Sequence, residues 1–210
     1  MRTWHARSLL PLGVVVAFAV GCGDSNGSGP NPPPEQRPPA ALNILKLAQA
    51  SPPVFNPVET FWAKKGEQAE ARIYFQDAVG GQGEEYLRLR IDDISLETLP
   101  NGTPIAIGDS VLITIRSVDP TQILFELEPT GLKFNPLKPA ELDIKYQEAD
   151  DDFNEDGVVD LEDEAIEDIL AIWRQENPGD DFVKIGSFLI ESLEEIEAEL
   201  TGFSRYAIAY

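Results

Sequence analysis

Apolar and polar residues alternate along much of the chain with a period of two. In Ala69-Glu70-Ala71-Arg72-Ile73-Tyr74-Phe75-Gln76, the residues Ala69, Ala71, Ile73 and Phe75 share one face. Leu87, Leu89 and Ile91 alternate with Arg88 and Arg90, and residues 111–116, 123–127 and 142–146 repeat the pattern. Successive side chains of a strand point to opposite faces, so this alternation predicts strands with one face buried and the other wet. Turn-forming stretches punctuate the runs: Gly80-Gly81-Gln82-Gly83, Pro100-Asn101-Gly102, Val118-Asp119-Pro120 and Asn177-Pro178-Gly179-Asp180. Many short strands separated by turns predict an all-β fold, an antiparallel β-sandwich. The one short helix expected covers residues 161–169. Residues 41–50 fit either a strand or a helical turn.

The first 40 residues break this pattern. Arg2 and Arg7 precede an apolar run from Leu9 to Val20, which has the length of a signal-peptide core and is too short for an ordinary membrane span. Ala19-Val20-Gly21-Cys22 resembles a bacterial lipobox, although Ala19 stands where Leu is usual. The resemblance implies cleavage after residue 21, acylation of Cys22 and a lipid bilayer as partner. Gly23 occupies the position where Asp commonly retains a lipoprotein at the inner membrane, which favours the outer membrane. Residues 22–40 are rich in Gly, Ser, Asn and Pro, the composition of a tether, and the domain is expected to span 41–210.

Composition then narrows the chemistry. The chain has 16 basic and 37 acidic residues. Two of the basic ones lie in the signal segment, leaving 14 against 37 and a formal charge of −23. The only His (His5) and the only Met lie in that segment too. A mature chain without histidine and with one acylated cysteine excludes a Ser-His-Asp triad, a Cys-His pair, His- or Cys-ligated zinc and an intrachain disulfide. Its charge excludes nucleic acid as a partner. Carboxylates remain, for hard cations or acid–base work. Residues 141–200 carry 22 acidic and 3 basic residues, so the acid is concentrated.

The stretch Phe125 to Tyr146, FELEPTGLKFNPLKPAELDIKY, resembles the ZU-five-type β-sandwich domain of ankyrins, netrin receptors and zonula occludens proteins. FSRYAIAY, from Phe203 to Tyr210, resembles its final strand, and a hairpin from Ile172-Trp173-Arg174-Gln175 to Phe182-Val183-Lys184-Ile185 fits between them. The resemblance implies fold rather than function. Some members cleave themselves at His-Phe-Ser in the last strand. Here the matching residues are Gly202, Phe203 and Ser204, so the activating histidine is missing and Ser204 is expected to be an ordinary strand residue.

The acid is densest in Asp151 to Glu164, DDFNEDGVVDLEDE. An EF-hand loop places oxygen ligands at positions 1, 3, 5, 7, 9 and 12 with Gly at 6. With Gly157 at position 6, these fall on Asp152, Asn154, Asp156, Val158 through its backbone carbonyl, Asp160 and Asp163. Val159 at position 8 is expected to point into the core. Asp163 replaces the usual Glu. The resulting Asp-x-Asn-x-Asp-Gly-x-x-Asp-x-x-Asp resembles the calcium loops of dockerin repeats and of thrombospondin type-three repeats, which also end in Asp. Only one such loop is present, so the resemblance implies Ca2+ and no cohesin partner. The loop and its helix, about 147–169, are expected as an insertion between two strands.

Three functions fit these observations. The first is a non-enzymatic, membrane-anchored lipoprotein whose calcium-stabilised sandwich serves for contact or scaffolding toward an extracytoplasmic protein or glycan. The second is a carbohydrate- or protein-binding module using exposed aromatics such as Trp62, Trp173 or Tyr86, with core packing the preferred reading for Trp173. The third is a carboxylate-based hydrolase, for which no acid pair can be singled out among 37.

Overall fold

A computed structural model describes residues 33–210. Along the chain run β1 (Gln36–Arg37), β2 (Val58–Lys64), β3 (Ala69–Gln76), β4 (Gln82–Ile91), β5 (Leu96–Thr98), β6 (Ser110–Ser117) and β7 (Leu124–Glu128). There follow β8 (Lys133–Phe134), β9 (Ala140–Lys145), helix α1 (Leu161–Glu167), β10 (Ala171–Gln175), β11 (Phe182–Lys184), β12 (Ser187–Ile190), β13 (Glu195–Leu200) and β14 (Arg205–Ala209). The strands form a seven-stranded sheet in the order β1-β11-β10-β14-β7-β6-β2 and a five-stranded sheet in the order β12-β13-β9-β4-β3, with β5 and β8 forming a separate ribbon. Every named pairing is antiparallel. The expected antiparallel β-sandwich is the observed architecture.

The alternating apolar positions close on each other between the sheets. Ile73, Leu87, Leu89, Leu142, Ile144 and Ile196 of the smaller sheet, and Ile113, Ile115, Leu127, Ile172 and Ile208 of the larger, are all fully buried. Burying such a side chain contributes about 1.5–3 kcal/mol, which makes this layer the main source of stability. Tyr86 links the two sheets. Its ring stacks on Phe75 at 4.3 Å and meets Phe125 of the opposite sheet edge-on at 4.9 Å. Burial pushes the Tyr86 hydroxyl pKa far up, so it stays neutral. Tyr86 is therefore a core residue and not an exposed contact aromatic.

Trp173 is buried as well, as its preferred reading had it. It lies on the outer face of the seven-stranded sheet in a second cluster with Leu42, Leu124, Phe182, Ala207 and Ala209. The indole N–H donates to the Ala209 carbonyl at 3.0 Å, and the Arg37 guanidinium lies 5.4 Å from the ring centroid. The chain entering the domain covers this cluster. Gln36 and Arg37 pair with Val183 and Phe182, so residues of the stretch read as tether join the sheet. Strand pairing uses backbone groups that every residue carries, which is why the polar composition of residues 33–40 concealed it. Residues 41–50 resolve as extended backbone with isolated bridges, Ile44 to Ala209 and Lys46 to Gln122, after a 3-10 turn at Pro39–Ala41. Among the described residues no helix is long and apolar enough to cross a membrane. Cys22, the signal segment and most of the tether lie outside the described residues.

Candidate metal centre

The acidic loop joins β9 of one sheet to β10 of the other, and contacts at both of its ends hold it. At its start, the Ala48 N–H donates to Glu148 and the Asp150 N–H to Lys46, lacing the loop to the entering segment. Phe153 and Ile166 turn inward and pack on the main core. The Tyr146 hydroxyl donates to Glu167 on α1 at 2.8 Å, and burial raises its pKa before that carboxylate adds to the effect.

Between these anchors the predicted ligand positions organise the backbone. Asp152 accepts from the Asp156 N–H at 3.0 Å with Oδ1 and from the Gly157 N–H at 2.7 Å with Oδ2. Asn154 Oδ1 accepts from the Asp156 N–H at 2.9 Å, and Asp156 Oδ1 from the Val158 N–H at 2.9 Å. These nested Asx turns wind the chain around the side-chain oxygens, as short polar side chains do when they hydrogen-bond backbone two residues on. Gly157 sits at φ 90°, which side chains disfavour, so the central glycine has a conformational cause.

The loop ends by starting the helix. Asp160 is the N-cap of α1, its Oδ1 accepting from the Glu162 N–H at 2.8 Å. Asp163 returns the bond, with Oδ2 accepting from the Asp160 N–H at 2.9 Å, while its Oδ1 accepts from the Asn154 N–H at 3.2 Å. Asp163 is buried at the base of the loop, and these N–H groups, Asp160's foremost, hold its carboxyl below the usual range. A reciprocal cap of this kind needs a side-chain acceptor at the third helical position, which Asp163 at position 12 of the loop supplies.

The donor set suits a hard cation. It comprises carboxylates, one amide oxygen and the Val158 carbonyl, to which no backbone N–H among the described residues donates. Each carboxylate oxygen that accepts one N–H keeps a second lone pair for a ligand bond. Convergence is incomplete, however, since no three carboxylates of the loop lie within 4.8 Å of one another. Binding would draw Asp152, Asp156 and Asp163 together against their mutual repulsion. Val159 corrects the sequence reading. It is 64% exposed and not directed into the core, because Phe153 and Ile166 already fill that side.

No family model, curated protein or solved structure matches the chain.

One acidic group escaped the sequence reading. Asp143 on β9 and Glu195 and Glu197 on β13 present carboxylate oxygens within 4.8 Å of one another. Asp143 appeared as one wet-face residue of an alternating strand, and nothing local paired it with β13. A regular acidic spacing at Glu195, Glu197 and Glu199 was the available signal. The remaining candidate, Ser204, is buried and accepts a hydrogen bond from Arg174 Nε at 2.9 Å. A guanidinium cannot take its proton, so Ser204 has no activating base there. Gly202 beside it has a steric cause, since a Cβ would lie 2.7 Å from the Leu132 carbonyl oxygen.

Proposed function

We propose that the chain is a non-enzymatic, membrane-anchored lipoprotein, held through acylated Cys22 and carrying a calcium-stapled β-sandwich that serves as an extracytoplasmic contact or scaffolding module. The observation that carries the calcium part is the hydrogen-bonded form of the 152–163 loop. Asp152, Asn154 and Asp156 accept backbone N–H groups of the loop in Asx turns around Gly157, and Asp163 closes the frame from α1. Calcium takes 6–8 oxygen ligands in flexible geometry, which a loop of this kind accommodates better than the strict octahedron of Mg2+. The connection spans both sheets, so ordering it would clamp β9 to β10.

A hydrolase is disfavoured by the placement of the closest acids. Asp143 and Glu195 are 2% and 4% exposed on a sheet face, where a substrate has little access to both. The contact reading keeps one exposed aromatic in play. Trp62 on edge strand β2 is 66% exposed and pairs across the strands with Leu112, which is 45% exposed.

Calorimetric titration of the chelator-treated protein with calcium tests the staple. One site that disappears in Asp156→Ala supports the proposal, and the absence of heat at millimolar calcium rejects it. Metabolic labelling with a fatty acid tests the anchor. Label on the wild type and none on Cys22→Ser is expected, and equal labelling of both would remove the lipoprotein part.

A further inference from the structure

The outer face of the five-stranded sheet carries charged side chains in cross-strand rows. Arg72 on β3 faces Arg88 on β4, Arg88 faces Asp143 on β9, and Asp143 faces Glu197 on β13. Glu195 is two residues from Glu197 on the same strand and so lies on the same face. Asp143 is thus flanked by arginines on one side and by glutamates on the other.

The arginine side is engaged with Asp143 Oδ2, although Arg90 Nε is buried without a hydrogen-bond partner of its own. Arg88 donates to Asp143 Oδ2 from Nε at 2.7 Å and from Nη2 at 2.6 Å, and Arg90 Nη2 lies 3.5 Å from the same oxygen. Both arginines are shared, Arg88 with Glu85 at 3.7 Å and Arg90 with Glu141 at 2.7 Å. Asp143 is 2% exposed, and its other oxygen, Oδ1, is buried with no hydrogen-bond partner. The charge of Asp143 is paired through Oδ2, but a buried oxygen left without a partner still carries a desolvation cost. Lys145 is opposite Glu195 in register but makes no ion pair within 4.0 Å among the described residues.

The size of the gap matches one cation. Oxygens bound to Ca2+ at about 2.3–2.6 Å lie at most about 5 Å apart across the ion. The carboxylate oxygens of Asp143, Glu195 and Glu197 fall within 4.8 Å of one another, inside that limit. We propose that Asp143, Glu195 and Glu197 form a second divalent-cation site, separate from the loop, in which Asp143 Oδ1 and the two glutamates bind a hard cation of the calcium, magnesium or manganese class. The ion would occupy the face between β9 and β13 and supply the positive charge that Arg88, held on the other side of Asp143, cannot bring to Oδ1. The competing arrangement is a proton on Glu195 donated to Asp143, and burial together with the Asp143 charge raises the Glu195 pKa in that direction.

The test separates this site from the loop. In the full domain carrying Asp152→Asn and Asp156→Asn, calorimetry and Mn2+ electron paramagnetic resonance are run at pH 7.5 after chelator treatment, with Ca2+, Mg2+ and Mn2+ as probes. The expected result is one remaining site for at least one of these ions, weakened at least tenfold by Glu197→Gln, with an unchanged far-ultraviolet circular dichroism spectrum. Glu197 is the partly exposed member of the three, so its amide variant should fold. If the loop variant binds none of the three ions at millimolar concentration, the site is rejected. Binding that persists undiminished in Glu197→Gln rejects it equally.

Discussion

The Tyr210 hydroxyl donates to the carbonyl oxygen of Phe153 at 2.5 Å, tying the last residue of the chain to the second residue of the predicted calcium frame. Tyr210 lies just past the end of β14, which pairs with β7 and β10 in the middle of the seven-stranded sheet. The loop is therefore tied to the central strands, in addition to the contacts of its own acidic residues, Glu155 with Lys46 and Glu167 with Tyr146. Burial, and then the charges of Glu155 and Asp163, push the Tyr210 hydroxyl pKa up and keep it a donor.

Removing that hydroxyl is expected to loosen the loop without harming the core. Tyr210→Phe keeps the ring and deletes one hydrogen bond, at a cost of about 1 kcal/mol. Hydrogen exchange should locate the change in residues 150–157, with core strands unaffected. Equal exchange in that segment for variant and wild type would show that the bond does not hold the loop.

Calcium should stabilise the fold in a position-specific way. A ligand that binds only the folded state contributes about 2.7 kcal/mol at a hundredfold excess over Kd. Asp152→Ala should remove most of the calcium-induced rise in melting temperature, and Asp151→Ala should leave it nearly intact. The comparison uses the calcium-induced rise alone, because Asp152→Ala also deletes two hydrogen bonds present without metal. A loop that senses only net charge would respond alike to both changes.

Gly202 should resist replacement. A Cβ there meets a backbone oxygen at 2.7 Å, so Gly202→Ala is expected to destabilise by about 1–3 kcal/mol, the usual range for overpacking. Gly202→His should be destabilised as well and should not awaken cleavage. Intact mass spectrometry of the wild type should give a chain continuous through Phe203 and Ser204. Chemical denaturation of the alanine variant measures the steric cost, and an unchanged midpoint would mean that the strand can move aside.

Acid should weaken one turn in a predictable window. Asp119 Oδ1 accepts from the Thr121 hydroxyl at 2.7 Å and from the Thr121 N–H at 2.8 Å, and these bonds hold its pKa below 3.8. A depressed carboxylate pKa contributes stability above its unfolded value, and that contribution is lost as pH falls through the folded value. Asp119→Ala should therefore cost about 1 kcal/mol near neutral pH, with the difference from wild type shrinking as pH falls below 3.8. Paired urea titrations at several pH values would reveal it, and a difference independent of pH would remove the ionised carboxylate from the explanation.

Periodicity located much of the sandwich. β3 runs over the predicted residues 69–76, and β6, β7 and β9 fall within a few residues of their expected ends, while β10 and β14 were expected from the resemblance to the sandwich domain. The hydrophobic face of a strand is written locally, every second residue, so it can be read without knowing the partner. The loop was legible for the same reason. All six of its predicted positions lie within twelve consecutive residues, and Asx turns and helix caps are local hydrogen bonds.

What only the tertiary structure decided is which faces meet. Trp62 and Trp173 both sit in strands, yet Trp62 is exposed on an edge strand while Trp173 is covered by Leu42 and Arg37 from the entering chain. Docking of β1 was invisible because it depends on backbone pairing with β11. The spacing of Glu195 and Glu197 was visible, but their meeting with Asp143 was not, because Arg88 and Asp143, 55 residues apart, and Asp143 and β13 become neighbours only through sheet order. Alternation tells each residue whether it faces the core or water. Cross-strand register, set by the packing of the whole sandwich, determines which charges stand beside it there.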